Sequence, residues 1–132
     1  MDELQQIKLR VYQEDKIEEV LELLGCWNID TEQHGLLYVA GLPDGDNPRS
    51  VQIKNNESLT CNIRSKGITG SVYDLIGYLI FDANTDEERK SSLHKSKHWL
   101  CEKLHYYEYI DDFYKETSDF KLVNPNINNW LN

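Results

Sequence analysis

An α+β fold built on a small antiparallel sheet is what this sequence predicts, and three observations predict it. Apolar residues recur at helical spacing in 14-EDKIEEVLELLG-25, the period shortens to β-like runs between Cys26 and Arg64, and helical spacing returns from Gly70 onward. The chain has the length of one ordinary domain, 132 residues, with no repeat and no long linker. We divide it by period into an α+β module over 1–82 and a helical extension over 83–132 that ends in an Asn-rich tail.

Each element has its own justification. In 14–25, Ile17, Val20, Leu21 and Leu24 fall at i, i+3, i+4 and i+7, acidic residues fill the first turns where the helix dipole favours them, and Gly25 supplies a left-handed stop. The preceding IKLRVY fits a strand with Ile7, Leu9 and Val11 on one side, or a helical turn through Leu4, Ile7 and Val11. The runs CWNI, GLLYVA, SVQIK and SLTCNIR read as strands separated by turn residues. The loop 42-LPDGDNP-48 cannot continue a central strand, and Asn55-Asn56 suits a tight hairpin because Asn tolerates positive φ. Ser71 with Asp74 caps a helix whose face is Val72, Leu75, Ile76 and Leu79, ending near Phe81. Thr85 with Glu88 repeats the capping pattern and opens a long helix through Leu93, Leu100, Leu104 and Tyr107. The final 122-LVNPNINNWLN-132 reads as a docking tail or as the point where a longer chain was cut.

Composition narrows the function classes. A net charge of −9 argues against a generic nucleic-acid binder, since nonspecific affinity comes from Lys and Arg that displace counterions. The balance reverses locally: between Asn47 and Gly70 stand four basic residues, Arg49, Lys54, Arg64 and Lys66, against one acidic, Glu57. No run of apolar residues is long enough to span a membrane, and the N-terminus lacks the apolar stretch of a signal peptide, which places the protein in the cytoplasm. Cys26, Cys61 and Cys101 are far apart with no C-x-x-C, so they read as reduced thiols rather than a disulfide scaffold or ribbon-type zinc site.

The order of helix, Gly, strands, Pro-bearing loop, Cys-bearing hairpin, Gly-x-x-Gly and helix resembles the zinc-binding domain at the N-terminus of bacterial and phage DNA primases. In that family a tyrosine-bearing strand leads to Cys-Pro-x-His, then Pro-Ser, then a hairpin ending in Cys-x-x-Cys, then a helix. Here 38-YVAGLPDGDNPRSVQI-53 and 60-TCNIRSKGITGSVYDLI-76 are similar to the two halves, and the resemblance covers roughly residues 16 to 82. The ligands depart from the pattern. Leu42 stands for the first Cys, Asp44 for the His, Cys61 matches, and Arg64 takes the last Cys position. Zinc requires four N or S donors, so the expected fold is a zinc-ribbon-like antiparallel sheet without zinc, flanked by helices and followed by a helical extension.

The resemblance implies a non-catalytic replication accessory, of a phage or other mobile element, that supports primer initiation beside a polymerase, primase or helicase partner. Arg49, Lys54, Arg64 and Lys66 then lie where the family faces template, with Trp27 and Tyr38 available to stack single-stranded DNA bases. No Gly-rich phosphate loop and no nucleophile–base set is visible, so no catalytic residue, metal or cofactor is expected. The run Tyr106, Tyr107, Tyr109, Ile110, Phe113, Tyr114 divides between core and interface, with Tyr106, Tyr109 and Phe113 assigned to a partner surface. His94, His98, Cys101 and His105 share a helical stripe, but one straight helix cannot wrap a tetrahedron around an ion. Asp44 and Asp46 lack the bidentate glutamate of a calcium loop and read as a turn. The competing expectation is an acidic interaction protein, such as a phage inhibitor or nucleic-acid mimic that binds a basic host protein. A further one is the N-terminal piece of a longer primase.

Overall fold

The computed structural model describes residues 1–110. The chain opens with two helices, α1 (Glu3–Gln13) and α2 (Ile17–Leu23), and continues with five strands: β1 (Trp27–Glu32), β2 (Leu37–Gly41), β3 (Val51–Lys54), β4 (Thr60–Ile63) and β5 (Ile68–Ser71). It closes with α3 (Val72–Phe81), α4 (Asp86–Ser91) and α5 (Leu93–Lys103). The strands form one antiparallel meander in the order β1-β2-β3-β4-β5, so the α+β expectation holds.

The ambiguous N-terminal run is helix. Asp2 accepts the Gln5 N–H at 2.8 Å while the Gln5 side chain accepts the Asp2 N–H at 3.2 Å, a capping box that satisfies two otherwise orphaned donors. Ile7 and Val11, one turn apart, are fully buried. Both capping boxes read from sequence are present, Ser71 with Asp74 and Thr85 with Glu88. The expected long helix is broken, however. Ser92 leaves helical geometry (φ −97°, ψ 9°), its hydroxyl donates to the Glu88 carbonyl at 2.9 Å, and α5 restarts at Leu93. It ends before Tyr107, because His105 turns left-handed (φ 64°) and the Tyr106 N–H reaches back to the Cys101 carbonyl at 2.7 Å.

Register separates the two faces of the sheet. Tyr38, Ile53 and Cys61 stand opposite one another, as do Ala40, Val51, Ile63 and Ile68. All are buried, and they meet Ile7, Val11, Val20, Leu21, Leu75, Ile76 and Leu100 in one core. Each such aliphatic side chain contributes about 1.5–3 kcal/mol. Tyr106 and Ile110 join the same cluster, so the segment after residue 83 shares the core of the sheet. Arg89 ties α4 back to it. Its buried guanidinium donates to the Ala83 carbonyl at 3.2 Å and pairs with Asp86 and, at 3.8 Å, with Asp74 of α3.

One turn expectation is corrected, and one strand is new. The β3–β4 connection is not a tight Asn-Asn hairpin. It is a longer loop in which Asn56 Oδ1 accepts the Ser58 N–H at 2.9 Å, and Leu59 rather than an Asn takes positive φ (44°), burying its side chain completely. Strand β5 was not expected from the sequence. It continues the meander through Ile63↔Ile68 and Cys61↔Gly70.

Candidate interface on the open sheet face

Among the described residues, the helices cover one face of the sheet and leave the other open. Alternation places Leu37, Val39 and Gly41 of β2 on the open face, with Gln52 and Lys54 of β3, Thr60 and Asn62 of β4, and Thr69 of β5. Val39 is only 3% exposed yet lies outside the core cluster. On the loop before β3, Arg49 pairs with Glu32 of β1, donating from Nε at 2.8 Å and from Nη2 at 2.6 Å. This fork holds both side chains in place and raises the guanidinium pKa through the Glu32 hydrogen bond and charge. Arg49 therefore has Glu32 as its ion-pair partner, while half of its side chain stays exposed.

Trp27 occupies the same face. A bulge follows it, with Asn28 left-handed (φ 54°) and the register shifted before Asp30. The indole lies flat on Gly41, so closely that a Cβ there would meet the ring at 2.3 Å. Its N–H donates to the Leu42 carbonyl at 2.6 Å. One face of the ring is packed, while 36% of the residue stays exposed. The pose is that of a pre-set stacking surface, fixed by a glycine and a single hydrogen bond.

Basic residues stand at both ends of this face. Trp27 pairs with Gly41, and the Arg64 N–H donates to the Ser50 carbonyl at 2.7 Å, which puts Trp27, Gly41, Ser50 and Arg64 on one line across the strands. At strand spacing that line is about 14 Å long. Ser50 and Ser65 hydroxyls bond each other beneath it, bracing the 64–66 turn that presents Arg64 and Lys66. Lys54 lies at the far end of β3. Arg64, Lys66 and Lys54 are exposed, and none has an ion-pair partner among the described residues.

Other residues singled out from the sequence go elsewhere. Tyr38 faces the core at 8% exposure, toward Asp15 and Glu18 at the α1–α2 junction, and cannot stack a base on the open face. Tyr106 is 1% exposed, with its hydroxyl donating to Glu14 at 2.9 Å and Arg10 over its ring at 3.9 Å, so it is core rather than partner surface. Tyr109 is half-buried against the core, and Phe113 lies outside the described residues. The aromatic surface of the helical layer is instead a cleft of about 300 Å³ lined by Phe81, Lys95, His98, Trp99 and Glu102. Trp99 on an otherwise polar stretch of α5 is the sequence signal for it.

The positions of the zinc ligands do not converge. Cys61 points into the core, Leu42 is buried, and Asp44 and Arg64 are exposed. Burial lifts the Cys26 thiol to about 11 and the Cys101 thiol to about 12, and raises Cys61 as well, which keeps all three protonated near neutral pH. On α5 the stripe separates too: the His94 and His98 rings are 4.2 Å apart, Cys101 is fully buried, and His105 lies beyond the helix end. Among the described residues no group of three or more His, Cys, Asp and Glu is placed to hold a metal ion. Nor is any helix among them long and apolar enough to cross a membrane.

The fold and face together define an α+β protein with an open-faced antiparallel meander, polar along its middle and basic at its ends. Compared with family models, with curated proteins and with solved structures, the chain matches none.

Proposed function

We propose that the protein is a non-catalytic accessory of DNA replication that holds single-stranded template on the open face of its sheet and docks a polymerase, primase or helicase through its helical side. The observation that carries this reading is the Trp27 ring, laid on Gly41 in line with Arg64 across one uncovered sheet face. Aromatic platforms beside cations are how single strands are held without sequence preference, stacking being worth about 1–3 kcal/mol per base. The net charge of −9 confines that contact to this face and calls for a partner to supply the remaining affinity. The resemblance of residues 16 to 82 to primase zinc-binding domains supports the same role. Phe81 and Trp99 suit the partner contact, since aromatic side chains anchor such surfaces.

The test is fluorescence anisotropy of a labelled single-stranded oligodeoxynucleotide, measured at several salt concentrations. Arg64→Ala with Lys66→Ala should weaken binding and flatten the dependence of log K on log salt by about 1.4, the share of two phosphate contacts on a single strand. An unchanged slope and affinity would remove these residues from any template contact. A wild-type protein that binds no oligonucleotide at low salt, yet captures a basic host protein, would favour the acidic-mimic reading.

A further inference from the structure

The open face is not uniformly flat. Beyond the middle of β3 and β4 it sinks into a hollow of about 420 Å³ whose lining includes Leu37, Gln52, Lys54, Asn55, Asn56 and Asn62. Four of these six are carboxamides. They come from two strands and a loop, and only the register Gln52↔Asn62 brings the strand pair together.

Their hydrogen bonds set which ends remain to be used. Asn55 spends its Nδ2 on the Gly35 carbonyl at 2.8 Å, leaving Oδ1. Asn56 spends its Oδ1 on the Ser58 N–H at 2.9 Å and on the Ser58 hydroxyl at 2.5 Å, leaving Nδ2. Asn62 Oδ1 accepts from the Thr69 hydroxyl at 2.8 Å, again leaving Nδ2. Gln52, half-buried at the centre, has no hydrogen-bond partner among the described residues, so its donor and acceptor are both available. Because backbone groups fix Asn55 and Asn56, donors and an acceptor line the hollow before any ligand arrives. Leu37 adds an apolar wall, and Lys54 a cation at the rim.

A carboxamide with both ends free pairs in bidentate fashion with the edge of a base, as Asn and Gln do with adenine. We propose that this hollow takes one unpaired nucleobase, read along its edge by Gln52 and Asn62, while Lys54 meets the adjoining phosphate. The inference rests on the strand-binding reading above and adds to it a base-reading position that the stacking face alone does not supply. A strand running along β3 and β4 would meet Arg64 at one end, the amides midway and Lys54 at the other.

The experiment compares a labelled oligodeoxyadenylate with the same strand carrying abasic sites, alongside dAMP added to protein labelled with nitrogen-15. The wild type should prefer the base-bearing strand, and Gln52→Ala with Asn62→Ala should lower that preference about tenfold, leaving the abasic affinity and the share owed to stacking on Trp27 in place. Gln52→Glu, which keeps the shape, should lower it too. With dAMP, the side-chain NH2 signals of Gln52 and Asn62 should shift. A base preference that the double variant leaves unchanged, with no amide shift, overturns the hollow and leaves the stacking face standing, whereas equal binding of both strands by wild type overturns the stacking contact as well. If neither strand binds, the strand reading fails, and the dAMP shifts then decide the hollow by themselves: present, it is a nucleotide site; absent, it is none.

Discussion

Gly41→Ala is expected to lose about 1–3 kcal/mol of stability, because the new methyl group overpacks the Trp27 ring. A Cβ at this position would stand 2.3 Å from Trp27 Cε2, 2.6 Å from Cζ2 and 2.7 Å from Nε1. The indole must leave, and its hydrogen bond to the Leu42 carbonyl goes with it. Denaturant melts measure the cost, and the indole N–H signal of Trp27 reports the displacement. In a Trp27→Ala background the same substitution should cost only a small fraction of that, since the clashing partner is gone. Oligonucleotide affinity should fall about tenfold in Gly41→Ala and in Trp27→Ala alike, the loss of one stacked base. An equal cost of Gly41→Ala in both backgrounds would show that the ring does not rest on Gly41.

Tyr106→Ala should cost more, about 3–5 kcal/mol, because it empties a fully packed aromatic site where the chain leaves α5. Tyr106→Phe keeps the ring and loses the hydroxyl, for about 1 kcal/mol. Its pH dependence separates the hydroxyl from the packing. Arg10, and then the Tyr106 hydroxyl, hold the Glu14 carboxyl below its ordinary value of 4.5. A carboxylate depressed on folding adds stability that is present above its unfolded value and lost as pH falls through the folded one. The gap between wild type and Tyr106→Phe should therefore be constant near neutral pH and narrow below about pH 4.5. A gap that stays constant to pH 3 would mean that Glu14 and Tyr106 are not coupled.

How much of this was legible depends on the range of the interaction. The helices and their starts are local, and Ser71 with Asp74, Thr85 with Glu88 and the Ile17–Leu24 spacing announce them in a few residues. Helix ends were legible at Gly25 and near Phe81. Asp15 and His105 also turn left-handed, a conformation costly for side-chain-bearing residues, so propensity alone argues for continuing the helix through them. Strand β5 escaped notice because Ile68-Thr69-Gly70-Ser71 has a single large apolar residue, and its pairing with β4 supplies what its sequence lacks. The site follows the same division. Trp27, Arg64 and Lys66 carry chemistry visible by residue type, but the pose of Trp27 depends on Gly41 of a neighbouring strand. The fork that pairs Arg49 with Glu32 joins a loop to a distant strand, and Gln52 with Asn62 becomes a pair only through register. Tyr38 and Tyr106 were assigned to surfaces by their type, whereas the core takes them because each hydroxyl has a carboxylate within reach at its edge.

Central to the account is that single-stranded nucleic acid lies on the uncovered sheet face. Chemical-shift mapping of nitrogen-15-labelled protein titrated with a short oligodeoxynucleotide tests it most directly. Shifts confined to the Trp27 indole, the Gln52 and Asn62 amides and the backbone of Lys54 and Arg64, with Phe81 and Trp99 undisturbed, are the predicted result. Shifts confined to the helical layer, or none at all at low salt, would contradict it.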